Sequence, residues 1–165
     1  MRGLALIAAL GVAVPAAAAE LGIHGVTLGA SEAVVKEQFP SAHCKALEWT
    51  SKAADRRCDD GRISVAGVGA GITFFLKQDA LQAFDLRFDT RNLVRVLAHF
   101  KTVYGPPKRE GSEIVARGGR PAREVFKAHW ATEADRAVIS SQPERKRSEL
   151  NVWRGDFAQE LYKVD

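Results

Sequence analysis

Cys44 and Cys58 are the residues of this chain best suited to covalent chemistry, and thirteen residues lie between them. A lone pair of cysteines in an exported protein reads as a disulfide. Closing a loop of that size restricts the unfolded chain by about 3 kcal/mol, less any strain. The competing use is a metal site built from His43, Cys44, Cys58 and Asp59. That set lacks the paired C-x-x-C spacing of zinc sites and needs thiols that stay reduced. The same spacing argues against a redox-active pair. A Cys44–Cys58 disulfide is therefore expected, with no metal ligands and no cofactor.

Other catalytic patterns are weaker. The histidines, His24, His43, His99 and His129, are scattered, and no two show the H-x-x-x-H spacing of a metal site. Gly67-Val68-Gly69-Ala70-Gly71 imitates a phosphate loop, but the strand-like Ile72-Thr73-Phe74-Phe75-Leu76 follows it. A phosphate cradle must open a helix, whose first N–H groups bind the anion. These glycines suit a turn or a bulge instead. Arg117-Gly118-Gly119-Arg120 lacks both the helix and the Lys-Ser/Thr of a P-loop. No nucleophile elbow is present, and no catalytic residue is assigned.

Aromatic side chains suggest binding. Phe126 and Trp130 share a strand face by parity, and Trp153 lies on the last strand. Large aromatics usually belong to the core. Where a sheet has a free face, tryptophan flanked by arginine is typical of protein contacts. Arg123, Trp130, Trp153 and Arg154 are the candidate contact residues.

These residues must be positioned by a chain of modest size. Residues 1–19 read as a secretory signal peptide: Arg2 supplies positive charge, Leu4 to Val14 is an apolar run, and Pro15 and four alanines follow. Ala17 and Ala19 fit the −3 and −1 positions of a cut before Glu20. A membrane anchor is the rival reading, but the run is short for a span of about 20 residues. No other segment is apolar enough to cross a bilayer, and no cysteine stands at the cleavage site. A periplasmic or secreted protein is expected, with residues 20–165 as one domain.

The net charge of +4 does not by itself indicate nucleic acid. Basic residues crowd one stretch, Lys101, Lys108, Arg109, Arg117, Arg120, Arg123 and Lys127, but Glu110, Glu113 and Glu124 stand among them. The stretch reads as a solvated surface of mixed sign. Its sharper reading is a contact patch for an acidic partner or anionic lipid headgroups.

Ser31 can cap a first helix, with Val34, Val35 and Phe39 on its apolar side and Pro40 ending it. Asp89 or Thr90 can cap a second, over Arg91–Tyr104, where Leu93, Leu97, Phe100 and Tyr104 recur at helical spacing and Gly105 suits a left-handed cap. Strand-like segments follow each helix. Ile72–Lys77 and Leu81–Phe88 alternate most clearly, with Gln78-Asp79 as the turn between them. Glu113–Arg117, Arg123–Ala131, Arg136–Ser141 and Glu149–Trp153 follow the second helix. Helix then strands, twice, predicts an α+β domain: helices packed on an antiparallel sheet, in two tandem helix-plus-strands units. No βαβ alternation supports a nucleotide-binding sheet.

Gly25-Val26-Thr27-Leu28-Gly29, a short helix ending in Phe39-Pro40, and then Cys44 and Cys58 resemble the opening of β-lactamase-inhibitor-like envelope proteins, a group that includes the SmpA/OmlA lipoproteins. Phe88-Asp89 through Tyr104-Gly105-Pro106 to Trp130 resembles a repeat of the same plan. The resemblance implies helices on an antiparallel sheet whose other face is available to bind protein, and no catalytic residues. The chain departs from the lipoproteins in lacking a lipobox cysteine. The expected function is a non-catalytic binding module acting on an envelope or secreted protein. A hydrolase-like enzyme with a dispersed site, or a carrier of a small apolar or anionic ligand, are the alternatives. The export reading has a direct check: mass spectrometry of the protein from its own host should find a chain beginning at or near Glu20, and intact Met1–Asp165 in the cytoplasm would refute it.

Overall fold

A computed structural model describes residues 20–163, so the expected signal peptide lies outside the described residues. The chain opens with β1 (Gly22–Ile23) and β2 (Val26–Thr27), a small hairpin turned by His24-Gly25. Then come α1 (Glu32–Gln38), β3 (His43–Ala46), β4 (Arg56–Val65), β5 (Val68–Lys77) and β6 (Ala80–Asp89). A 3-10 turn, Thr90–Asn92, leads into α2 (Leu93–Tyr104). The chain continues through β7 (Arg109–Arg117), β8 (Arg120–Ala131), β9 (Asp135–Ser141) and β10 (Arg147–Arg154), and ends in the short α3 (Phe157–Glu160).

β3 to β10 form one eight-stranded sheet in the order β3-β4-β5-β6-β10-β9-β8-β7, antiparallel at every pairing. This overturns the α+β expectation. The structure is mostly β, 51% strand against 18% helix, with three short α-helices among the described residues. The cause lies in the strands, which run longer than their alternation suggests. Arg56–Asp59 and Ile63–Val65 belong to one strand, joined across a bulge at Gly61-Arg62. Gly69 and Gly71 lie inside β5 rather than in a turn. Ala66-Gly67 makes that turn, with φ positive at both residues (53° and 72°). Positive φ at both central positions is what a two-residue hairpin turn requires, and Gln78-Asp79 meets it as well (49° and 60°).

The helices follow their caps. The Ser31 hydroxyl accepts from the Val34 N–H, and α1 stops before Pro40. Asp89 accepts from the Arg91 N–H and opens the turn into α2, which Gly105 closes with φ of 81°. Val96, Phe100 and Tyr104 are the buried residues of α2, whereas Leu93 and Leu97 only flank the core. The buried stripe is thus rotated from the expected Leu93-Leu97-Phe100 line toward Val96.

α1, α2 and the β1–β2 hairpin all pack on one face of the sheet. Val35, Phe39, Val96 and Phe100 share one core with Phe74, Leu76, Phe84, Leu86, Ile139, Leu150 and Val152. Gly22 lies so close to β2 that a Cβ would sit 2.6 Å from the Val26 carbonyl oxygen, and the same Gly22 carbonyl accepts from the buried Tyr104 hydroxyl at 2.7 Å. The hairpin is thereby pinned to the end of α2. Glu32 joins α1 to the sheet through Arg56 (2.6 Å) and also pairs with Lys36 (2.9 Å). The Arg56 contact and then Lys36 hold its carboxyl at about 2.

Cys44 and Cys58 are bonded, and they stand opposite each other on β3 and β4. The disulfide therefore staples a four-residue edge strand to the sheet. No helix among the described residues is long and apolar enough to cross a membrane.

Emptying the Phe100 site should cost about 3–5 kcal/mol, the range for a large buried aromatic. Val94, 80% exposed on the opposite side of α2, should tolerate alanine within about 0.5 kcal/mol. Denaturant melts of Phe100→Ala and Val94→Ala measure both. Equal midpoints would refute this placement of α2.

Candidate functional site

Antiparallel pairing decides what the second face of the sheet carries, because directly opposed residues point the same way. One row runs His43, Asp59, Thr73, Asp85, Asn151, Val138, His129, Arg109 across all eight strands. A second row runs Lys45, Arg57, Phe75, Ala83, Trp153, Arg136. A third runs Gly71, Arg87, Glu149, Ser140, Lys127, Gly111. The face is mostly polar, with apolar side chains around Phe75, Ala83 and Trp153 and at Val138 and Val125.

The apolar spot around Phe75 is covered. α3 and the segment 47–55 fold over it, so Phe157 and Leu161 join Ala53, Ala54, Phe75 and Ala83 in a second, smaller core. The Trp49 indole N–H donates to the Leu161 carbonyl at 3.2 Å, and the Ser51 hydroxyl to that of Glu160 at 3.4 Å. Beyond this patch the first and third rows remain uncovered by helix.

The uncovered groups are held in order. The Thr73 hydroxyl donates to Asp59 at 2.8 Å, and Arg57 pairs with the other Asp59 oxygen at 2.9 Å. Asn151 donates to Asp85 at 2.8 Å. Burial pushes the Asp85 carboxyl above its ordinary range, and Glu149 adds to this, while Asn151 and Arg87 oppose it. Burial, helped by Arg109 and Lys127, pushes the His129 imidazole down. The neutral form of His129 is thereby favoured.

At the β4–β5 end the face opens into a cleft of about 830 Å³. The register shift in β4 sets Gly61 and Arg62 together against the single Gly71. A bulge of this kind re-aims a side chain, here Arg62. Gly61, Gly69 and Gly71 leave the floor as bare backbone, and a Cβ on Gly61 or Gly69 would meet nothing within 4 Å. Arg62, Arg87, Lys146 and Arg147 line the cleft together with Asp59, Asp60 and Asp89.

The candidate residues read from sequence do not converge. Trp130 is 3% exposed and belongs to the helix-covered core, where its indole N–H donates to the Gly105 carbonyl at 2.8 Å. Trp153 lies on the opposite face, half-buried against the second core. Arg154 pairs with Asp135 at 2.8 Å, and Arg123 is half-buried. Within the basic stretch Lys101 pairs with Glu110 and Lys127 with Glu113. Glu32 lies near Cys44 and Cys58, the one such grouping of metal-ligating atoms among the described residues, but both sulfurs are spent in the disulfide. No histidine side chain makes a hydrogen bond among the described residues. The cleft residues were missed. Their signal was Gly69 and Gly71 two apart on a strand, which clears one face.

No protein-family model and no curated protein matches the chain. A solved structure, a DUF4309 family protein (YjgB) from Bacillus subtilis subsp. subtilis str. 168, is similar to it at a TM-score of 0.41 and 12% identity, covering 83% of this chain and 88% of that one. Nothing about function passes between the two at that distance. The resemblance to β-lactamase-inhibitor-like and SmpA/OmlA proteins finds no support in these comparisons.

Asp85 yields a pH prediction with a definite sign. Its carboxyl binds a proton more tightly folded than unfolded, so it costs no stability below the unfolded value of about 3.9. The cost grows as pH rises from there through the raised folded value. Asp85→Asn, which keeps an oxygen for Asn151, should raise Tm at pH 7 and leave it unchanged near pH 3. An equal shift at both pH values would show that ionisation is not the cause.

Proposed function

We propose that this protein is an exported, non-catalytic binding module that engages an envelope or secreted protein with the uncovered face of its sheet. The observation that carries the reading is the asymmetry of that sheet. One face is sealed by α1, α2 and the hairpin, while the other leaves a polar surface spanning eight strands. A surface of ordered, paired side chains on rigid strands binds with little loss of conformational freedom. Its ion pairs and amide contacts suit a protein's polar groups. The Cys44–Cys58 disulfide agrees with an oxidising compartment.

The alternatives fare less well on the same geometry. A carrier needs an enclosed chamber. The space between sheet and helices is filled by the fully buried Phe74, Phe84, Phe100, Leu86 and Leu150. An enzyme has one supporting observation, the raised Asp85 carboxyl. That group is hydrogen-bonded to Asn151, and the hydroxyl of its cross-strand neighbour Thr73 is given to Asp59.

Affinity capture from envelope extract, followed by mass spectrometry, tests the proposal when run on three proteins. The wild type should retain a partner. Ser140→Trp, which places bulk in the third row of the uncovered face, should lose it. Val94→Arg, on the solvent side of α2, should retain it. Loss with Val94→Arg and retention with Ser140→Trp would overturn the proposal, and so would capture that is indifferent to both.

A further inference from the structure

We infer that the cleft over Gly61, Gly69 and Gly71 receives an extended acidic segment of a partner protein. This rests on the binding-module reading and names the part of the face and the chemistry it takes.

Charge compensation is the first ground. The cleft holds carboxylates, but most already have partners. Asp59 pairs with Arg57 at 2.9 Å, and Asp89 holds Arg91 at 2.8 Å. Asp60 is buried and accepts from the Ser41 hydroxyl at 2.6 Å and from the Arg62 N–H at 3.0 Å. The cations are less satisfied. The side chains of Arg62 and Arg147 make no hydrogen bond or ion pair among the described residues. Arg87 reaches Glu149 only at 3.8 Å. Lys146 makes no direct ion pair and only lends charge to Asp89. The unspent charge of the cleft is positive, so its complement is an anion.

Shape is the second ground. Side chains on neighbouring strands normally keep a ligand's backbone away from a sheet. Here Gly69 and Gly71 remove them at successive outward positions of β5, and the bulge places Gly61 beside them. The bare channel has room for an extended main chain. Arg87 rises from β6 and Arg147 from β10, directly opposite Asp89, while Arg62 comes from the bulge of β4. Cations thus stand on both sides of the channel, and because an extended strand sends successive side chains to opposite sides, carboxylates on two successive residues present charge to both.

A fixed carboxylate selects among anions. Asp60, held only by the Ser41 hydroxyl and the Arg62 N–H, keeps its charge unpaired in the cleft and repels a dense polyanion there. A peptide with spaced carboxylates can set its neutral residues against it. This favours acidic protein over polyphosphate or sulfated glycan.

The test uses a fluorescein-labelled peptide of Glu-Glu-Ser-Ser repeats, which carries spaced carboxylates on both sides of an extended strand, read by anisotropy on the full mature protein. It should bind at least about tenfold more tightly than its glutamine counterpart and weaken with salt. Arg62→Glu with Arg147→Glu should abolish binding. Gly69→Leu should do so without adding charge, by filling the floor where a side chain has space. Arg95→Glu on α2 should bind as wild type. Unchanged Tm in each variant shows that the fold is intact. Equal binding of the glutamine peptide, binding that survives both cleft variants, or tighter binding of tripolyphosphate would each overturn the inference. If the partner captured from envelope extract ignores the cleft variants but is lost with Ser140→Trp, the inference falls and the binding-module reading stands.

Discussion

The pairing of β6 with β10 is the constraint on which the rest of this structure depends. It runs from Asp89 opposite Arg147 to Ala83 opposite Trp153, and it joins two runs of four strands that otherwise form by local hairpins. Every other neighbour in the sheet is also a neighbour in sequence. This one closes a loop of dozens of residues, whose entropy must be offset by what the pairing buries. Phe84, Leu86, Leu150 and Val152 supply that on the helix side, all fully buried. Without this junction the uncovered face would be two narrow sheets, and neither would hold Asp85 against Asn151.

The junction also explains why the two faces differ so sharply. Alternation along β6 and β10 sends phenylalanine and leucine to the helices and Asp85, Arg87, Asn151 and Glu149 the other way. A slip of one residue would exchange the two sets, so register is enforced by the cost of burying those charges. The disulfide acts at the rim in the same sense, locking Cys44 opposite Cys58 where only four residues of β3 are available to define the pairing. α3 then covers the apolar spot around Phe75 and Ala83 on the polar face.

Much of this could be read in the residues. Ser31, Pro40, Asp89 and Gly105 mark helix ends by chemistry that acts within a few residues, and Gln78-Asp79 marks a turn in the same local way. The disulfide was legible in a lone pair of cysteines in a chain expected to be exported. What failed depends on distant partners. The class was misjudged because a strand paired on both sides tolerates glycine, as β5 does at Gly69 and Gly71, and sequence alone reads such residues as breaks. Trp130 was a contact candidate because parity places it on a face without saying which face the helices take. The cleft was invisible for a related reason. Arg62, Arg87 and Arg147 lie on three strands, and only the β6–β10 junction brings the third to the other two.

The sheet has two unlike rims, and this bears on how the molecule could associate with itself. β3 offers four residues along its outer edge, whereas β7 offers nine. An open sheet with two long equivalent rims can add copies without end, which is the geometry of a filament. Here only one rim is long enough to form a stable ladder. Two copies meeting rim to rim through β7 would be related by a two-fold axis and would leave only the short β3 rims outside. Edge-to-edge association in this fold is therefore self-terminating: it stops at two.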